Sequence, residues 1–133
     1  MSGRKVLDSY ALIAFLENEQ GADRVVALIK HARDSEKPLF LSVVNWGEIY
    51  YILHRTVGKD AARQALQSID TLPIDIIPAD RELTLIAAEL KAKHKMSYAD
   101  CFAAALAKIK KAELVTGDKE FKLLEGELKI VWL

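Results

Sequence analysis

The chain has 133 residues, of which 51% are hydrophobic and 29% charged, and its nineteen Lys and Arg balance nineteen Asp and Glu. That length fits a single domain, residues 1–133, able to bury roughly two-thirds of its unfolded surface without a disulfide or a structural metal. The balance excludes a disordered chain, an acidic tail and a broad basic field that would hold nucleic acid without specificity. No apolar run approaches the ~18 residues that cross a bilayer. After Arg4 and Lys5 only Val6 and Leu7 precede Asp8, too short a stretch for a signal peptide, and the single Cys101 has no partner for an internal disulfide. The expected compartment is therefore the cytosol, with no membrane association.

Short apolar runs alternate with longer helical patterns along the chain. Residues 4–7 read as a strand. Residues 9–17 follow as a helix with Ala11, Leu12, Phe15 and Leu16 at helical spacing, and residues 21–33 as a second with Val25, Val26, Leu28 and Ile29. After Pro38, residues 39–41 form a second strand. Ser42 caps a helix that runs to about Val57, where Gly58 breaks it, and residues 60–69 form another. Residues 72–77 are a third strand, and Pro73 suggests that it lies at an edge. Helices over 80–95 and 98–111, a strand over 114–116, a short helix over 119–124 and a strand over 129–132 complete the chain. Strands alternating with helices predict an α/β fold around a mainly parallel sheet, with its site beyond the carboxyl ends of the strands.

Several chemistries lack their residues. There is no G-x-G-x-x-G, and Gly58-Lys59-Asp60 is no phosphate-binding loop. His31, His54 and His94 are far apart and have no H-E-x-x-H context, which argues against zinc. No G-x-S-x-G elbow supports a serine nucleophile. Cys101, in an Ala-rich helix, reads as a small core residue.

The acids are more informative. Asp8 ends the first strand, where it also suits an N-cap. Glu48 lies on an apolar helix with Val44 one turn before it and Tyr51 and Ile52 one turn after, so it needs a partner or a cation; the plain alternative is a surface Glu beside Arg55. Asp100 stands at the third helical position after Ser97, a capping spacing, but the Ala run behind it would let the helix pack close to the sheet. Asp118 follows the fourth strand, where it suits a turn or cap. Four carboxylates brought together repel one another unless a cation sits among them. All-oxygen ligands point to Mg²⁺ or Mn²⁺, which lowers the pKa of an attacking water and stabilises charge on phosphate oxygens.

The runs Val6-Leu7-Asp8-Ser9-Tyr10-Ala11, Leu41-Ser42-Val43-Val44-Asn45-Trp46-Gly47-Glu48, Ser97-Tyr98-Ala99-Asp100-Cys101-Phe102-Ala103 and Leu114-Val115-Thr116-Gly117-Asp118-Lys119-Glu120-Phe121 occur in an order that resembles PIN-domain ribonucleases, and more narrowly the VapC-type toxins of type II toxin–antitoxin pairs. The resemblance implies a three-layer fold with strand order 3-2-1-4-5. It implies that Asp8, Glu48, Asp100 and Asp118 form a catalytic, metal-binding acidic pocket for Mg²⁺ or Mn²⁺, which Ser9 and Thr116 support by hydrogen bonding. Tyr10 stands where a small residue is more usual and would narrow the pocket mouth. Glu120 sits near a further acid of some members. The expected activity is metal-dependent endoribonuclease cleavage of RNA, with a cognate antitoxin protein and a homodimer as partners. The alternatives are a non-catalytic regulatory α/β module and a PIN-domain RNA-processing nuclease outside a toxin–antitoxin system. A regulatory phospho-acceptor domain usually has adjacent acids after its first strand, whereas Asp8 is followed by Ser9. Lys91, Lys93 and Lys95, and Lys108, Lys110 and Lys111, form two local basic clusters, each readable as an RNA track or as a solvated helix face.

Overall fold

The computed structural model describes residues 3–133. In chain order the elements are β1 (Lys5–Leu7), α1 (Ser9–Leu16), α2 (Ala22–Ser35), β2 (Leu39–Ser42), α3 (Val43–Val57), α4 (Lys59–Asp70), β3 (Ile74–Ile77), α5 (Arg81–Lys93), α6 (Tyr98–Lys110), β4 (Glu113–Thr116), a 3₁₀ helix (Lys119–Leu124) and β5 (Ile130–Trp132). The five strands form one sheet in the order β3-β2-β1-β4-β5, and all four pairings are parallel. The edge position inferred from Pro73 is occupied by β3, which starts one residue after that proline; Leu39 donates to the Pro73 carbonyl at 2.8 Å. The short helix over 119–124 is 3₁₀ rather than α.

Side-chain alternation on the strands divides the core into two layers. Val6, Phe40 and Leu114 face α5, α6 and the 3₁₀ helix, where they meet Leu83, Leu90, Phe102, Leu106 and Phe121. Leu7, Leu41 and Val115 face the other way, onto Leu12, Val25, Ile49, Leu53 and Ile69 of α1 to α4. A sheet covered on both faces has central strands that are apolar on both sides, as Val6 and Leu7 are.

Helix boundaries follow local chemistry. Asp8, Ser42, Asp80 and Ser97 each accept a hydrogen bond from a backbone N–H of the first turn they cap. Gly58, at φ 98°, separates α3 from α4. In α6 every residue from Asp100 to Ala107 is buried. Four of them are alanines, so this helix lies close to the sheet and its first turn reaches the carboxyl ends of the strands. Cys101 is fully buried among them, and burial pushes its thiol up, away from nucleophilic use.

Ala104→Leu would force three extra carbons between α6 and the sheet. We expect it to cost about 1–3 kcal/mol, read as a lower urea midpoint with an unchanged slope; an unchanged midpoint would contradict the tight approach of this helix.

Candidate active site

Parallel register sets the first contact of the site. Val6 pairs with Leu114 and Leu7 with Val115, so the next residues along, Asp8 and Thr116, come side by side at the strand ends. Thr116 is fully buried, and its Oγ1 donates to Asp8 Oδ2 at 2.5 Å while accepting from the Asp118 N–H at 2.9 Å. One hydroxyl thus fixes both the Asp8 carboxylate and the turn that presents Asp118. The other Asp8 oxygen, Oδ1, accepts from the Ala11 N–H at 2.9 Å, so Asp8 caps α1 and faces the site at once.

Glu48 is held from two sides. Ser9 Oγ donates to its Oε1 at 2.5 Å, and Asn45 Nδ2 donates to the same oxygen at 3.3 Å. Asn45 is fully buried and also donates to the Ala99 carbonyl at 3.1 Å, tying α3 to the first turn of α6. The alternative of a Glu beside Arg55 does not hold, because Arg55 lies over the Tyr51 ring at 5.1 Å. Asp100 donates its backbone N–H to Ser97 Oγ at 3.1 Å. The cap is made by Ser97, which leaves the Asp100 carboxylate to the cleft.

Ser9, Tyr10, Glu48, Ser97, Asp100, Asp118 and Glu120 line a cleft of about 400 Å³ that extends past Ile13 and Ile52, with a further acid, Glu19, on its wall. Asp8 lies behind them, 1% exposed. The carboxylate oxygens of Asp100, Asp118 and Glu120 lie within 4.8 Å of one another. The four acids singled out in the sequence therefore come together, and Glu120 joins them as a fifth: the 3₁₀ turn capped by Asp118, which accepts the Glu120 N–H at 2.9 Å, brings it round. Asn45 was missed as a supporting residue. Its signal was a lone amide three residues before Glu48 on an otherwise apolar helix, the spacing at which helix side chains meet.

No Lys, Arg or His forms an ion pair with any of these five acids among the described residues; the ion pairs are made elsewhere, by Asp75, Glu113 and Glu127. The electrostatic consequence falls on the two most buried acids. Burial pushes Asp8 up to about 7 against the Thr116 and Ala11 hydrogen bonds, and the charges of Asp118 and Glu48 add to it. Burial likewise pushes Asp100 up to about 8, aided by the charges of Asp118, Asp8 and Glu48 and by the neighbouring Glu120 carboxyl. An all-carboxylate donor set with no nitrogen or sulfur fits a hard divalent cation.

Of the clustered lysines, Lys108 and Lys111 lie apart from the acids and Lys91 is engaged. Lys108 pairs with Glu127 at 2.8 Å and lines, with Lys5, Lys111 and Lys129, a hollow at the starts of β1 and β4, the opposite end of the sheet. Lys91 Nζ donates to the Met96 carbonyl at 2.7 Å, bracing the loop that enters α6.

A carboxyl whose folded pKa is raised binds a proton that the unfolded chain has released, so stability falls as pH rises from the ordinary value of 3.8 to the raised one. In EDTA, Asp100→Asn should leave the melting temperature unchanged near pH 4 and raise it progressively up to about pH 8, where the gain levels off. Differential scanning fluorimetry across this range checks it; a gain independent of pH, or a loss at pH 8, would contradict the electrostatic account.

A family model described as "PIN domain" matches residues 5–127. No curated protein sequence matches the chain significantly. Solved structures with the same fold include a chain of VapBC2 from Rickettsia felis, crystallised on a DNA fragment from its promoter, at 17% identity over 96% of both chains and a TM-score of 0.77. A chain of DNA-bound VapBC from Salmonella typhimurium matches at 14% identity over 98% of both chains, with a TM-score of 0.76. VapC20 of Mycobacterium tuberculosis, a sarcin-ricin loop cleaving toxin, matches at 19% identity over 90% of this chain and 93% of its own, with a TM-score of 0.71. The family match over nearly the whole chain, on a parallel 3-2-1-4-5 sheet with acids at its carboxyl end, makes this protein a member of the PIN domain family.

Proposed function

We propose that the protein is a metal-dependent endoribonuclease acting as the toxin of a toxin–antitoxin pair, with residues 1–133 as one PIN domain. The observation that carries the reading is the convergence of Asp8, Glu48, Asp100, Asp118 and Glu120 on one cleft with no basic partner among the described residues, two of them held far above the usual carboxylate range. Such a cluster is stable as an ionised set only around a cation. Asp8 and Asp100 would be the main ligands of Mg²⁺ or Mn²⁺, with Asp118 completing the shell, Glu48 as a further ligand or a water-orienting group, and Glu120 at the rim. When bound, the ion supplies a lowered water pKa and charge stabilisation at the phosphate.

The chain's own residues supply position. Thr116 holds the Asp8 carboxylate and the Asp118 backbone in one arrangement. Ser9 and Asn45 hold Oε1 of Glu48, which leaves Oε2 to accept a hydrogen bond from the attacking water. Because Asp8 and Glu48 are held before substrate arrives, they need little reorganisation during the reaction.

The toxin assignment draws on the relatives. Chains from the VapBC complexes of Rickettsia felis and Salmonella typhimurium share this fold along nearly their whole length, and VapC20 is a sarcin-ricin loop cleaving toxin. A homodimer and a small antitoxin are the expected partners, in the cytosol; no helix among the described residues is long and apolar enough to cross a membrane. Two surfaces support partners. A groove between α3 and α4 is lined by Trp46, Tyr50 and Leu66, and the acidic cleft continues past Ile13 and Ile52, where an antitoxin segment with a basic side chain could neutralise the carboxylates.

Purified protein should cleave single-stranded or looped RNA in Mg²⁺ or Mn²⁺ and stop in EDTA, and Asp8→Asn should lower the rate by orders of magnitude while the protein stays folded. Cleavage that survives EDTA would count against the metal mechanism. Co-expression with the small protein encoded beside it tests the toxin reading: a complex with suppressed cleavage is expected, and failure to co-purify would leave a free-standing RNA-processing nuclease.

A further inference from the structure

Tyr10 is the second residue of α1 and stays 46% exposed at the edge of the acidic cleft, beside Ser9, Asp100 and Asp118. Its ring is seated on the backbone of Gly117: a Cβ added there would lie 2.3 Å from Cε1, 2.7 Å from Cζ and 3.0 Å from Cδ1 of the ring. Gly117 is not among the glycines with positive φ, so glycine is needed there for space and not for backbone freedom. The ring is thus braced on one side by the turn that presents Asp118 and open to solvent on the other. Its hydroxyl makes no hydrogen bond among the described residues, so the side chain is not there to satisfy a buried polar group.

The surroundings make an uncharged contact valuable. A divalent ion held by the carboxylates would attract the phosphate to be cleaved but no other part of the substrate, and the lysines at the starts of β1 and β4 lie at the far end of the sheet. Attraction to phosphate does not distinguish one base from another, so it cannot select the substrate. An aromatic face reaches the base itself, because every nucleobase has a π-face to stack on it.

Resting on the nuclease reading above, we propose that Tyr10 is a specificity-determining residue: its Gly117-backed ring is a platform on which one unpaired nucleobase stacks next to the phosphate to be cleaved. The substrate class is RNA whose base at that position is free to leave its helix, in a single strand or a loop, and paired RNA is excluded because its bases are stacked on one another. Tyr10 contributes binding that is uniform between ground and transition states, so its loss raises KM and leaves kcat nearly unchanged.

The test is steady-state cleavage of a fluorescent single-stranded RNA oligonucleotide by the wild-type protein, Tyr10→Phe, Tyr10→Leu and Gly117→Ala. Tyr10→Phe should stay within about twofold of wild type, because the ring is kept. Tyr10→Leu should raise KM about five- to 150-fold, the span expected for one stacked base. Gly117→Ala, whose methyl displaces the ring, should give a similar defect and add little in a Tyr10→Leu background, as coupled neighbours do. An abasic substitution next to the cleaved bond should raise KM for the wild type and not for Tyr10→Leu. A wild-type KM in Tyr10→Leu, or an abasic penalty of equal size in both proteins, would overturn the proposal.

Fluorescence anisotropy of the same oligonucleotide with Asp100→Asn, with and without Tyr10→Leu, separates this inference from the nuclease reading. Binding that weakens with Tyr10→Leu while the wild type cleaves nothing supports the platform and refutes the nuclease; cleavage indifferent to Tyr10 refutes the platform alone; neither binding nor cleavage refutes both.

Discussion

Mutual repulsion among carboxylates is the constraint on which the rest of this structure turns. Five acids are gathered at one end of a parallel sheet without a basic side chain to offset them among the described residues. The chain meets this cost with short hydrogen bonds that lead back into its most rigid parts. Thr116, on a central strand, holds Asp8 and the turn before Asp118; Ser9 and Asn45 hold Glu48; Asn45 also ties α3 to α6. Asp8 and Glu48 cannot swing away without breaking these contacts, and relief for the cluster comes from protonation, as the raised values of Asp8 and Asp100 show, or from a cation.

The fold serves this purpose through two features. Parallel register brings the ends of β1 and β4 level, which is why residues more than a hundred positions apart, Asp8 and Thr116, share a hydrogen bond. The run of small residues in α6 lets its first turn approach the strand ends, so that Asp100 is both a first-turn residue of a capped helix and a member of the cluster. Capping and site chemistry are not competing explanations for Asp8 and Asp118. A carboxylate has two oxygens, and in Asp8 one closes the helix end while the other takes part in the Thr116 contact.

Much of this was legible in the sequence. The order and type of the elements followed from apolar periodicity, caps and the breakers Pro38, Gly58 and Pro73, and the strand order came from the likeness of four ordered motifs. The place of Asp8 and Asp118 was legible because an acid directly after a strand has one place to go, whereas the joining of Glu48 and Asp100 to them rested on the likeness of the motifs. Less was legible where the deciding fact is three-dimensional. The entry of Glu120 into the cluster depends on the turn after Asp118 being 3₁₀, a tighter winding than the periodicity of six residues can distinguish from α. Asn45 looked like one polar residue on a crowded helix, and its bond to Ala99 joins elements 54 positions apart. The close seat of Tyr10 on Gly117 joins α1 to the end of β4 and leaves no local pattern in either segment.

The account stands or falls on whether the acidic cluster exchanges its protons for a divalent ion. Two carboxyls with values of about 7 and 8 in the metal-free protein must lose protons when they ligate a cation. Titration calorimetry of Mn²⁺ into the protein at pH 6.5, repeated in buffers of different ionisation enthalpy, measures both binding and protons released. The account predicts saturable binding with release of at least about one proton per ion, and loss of both in Asp100→Asn. Binding without proton release, or no binding at all, would contradict it.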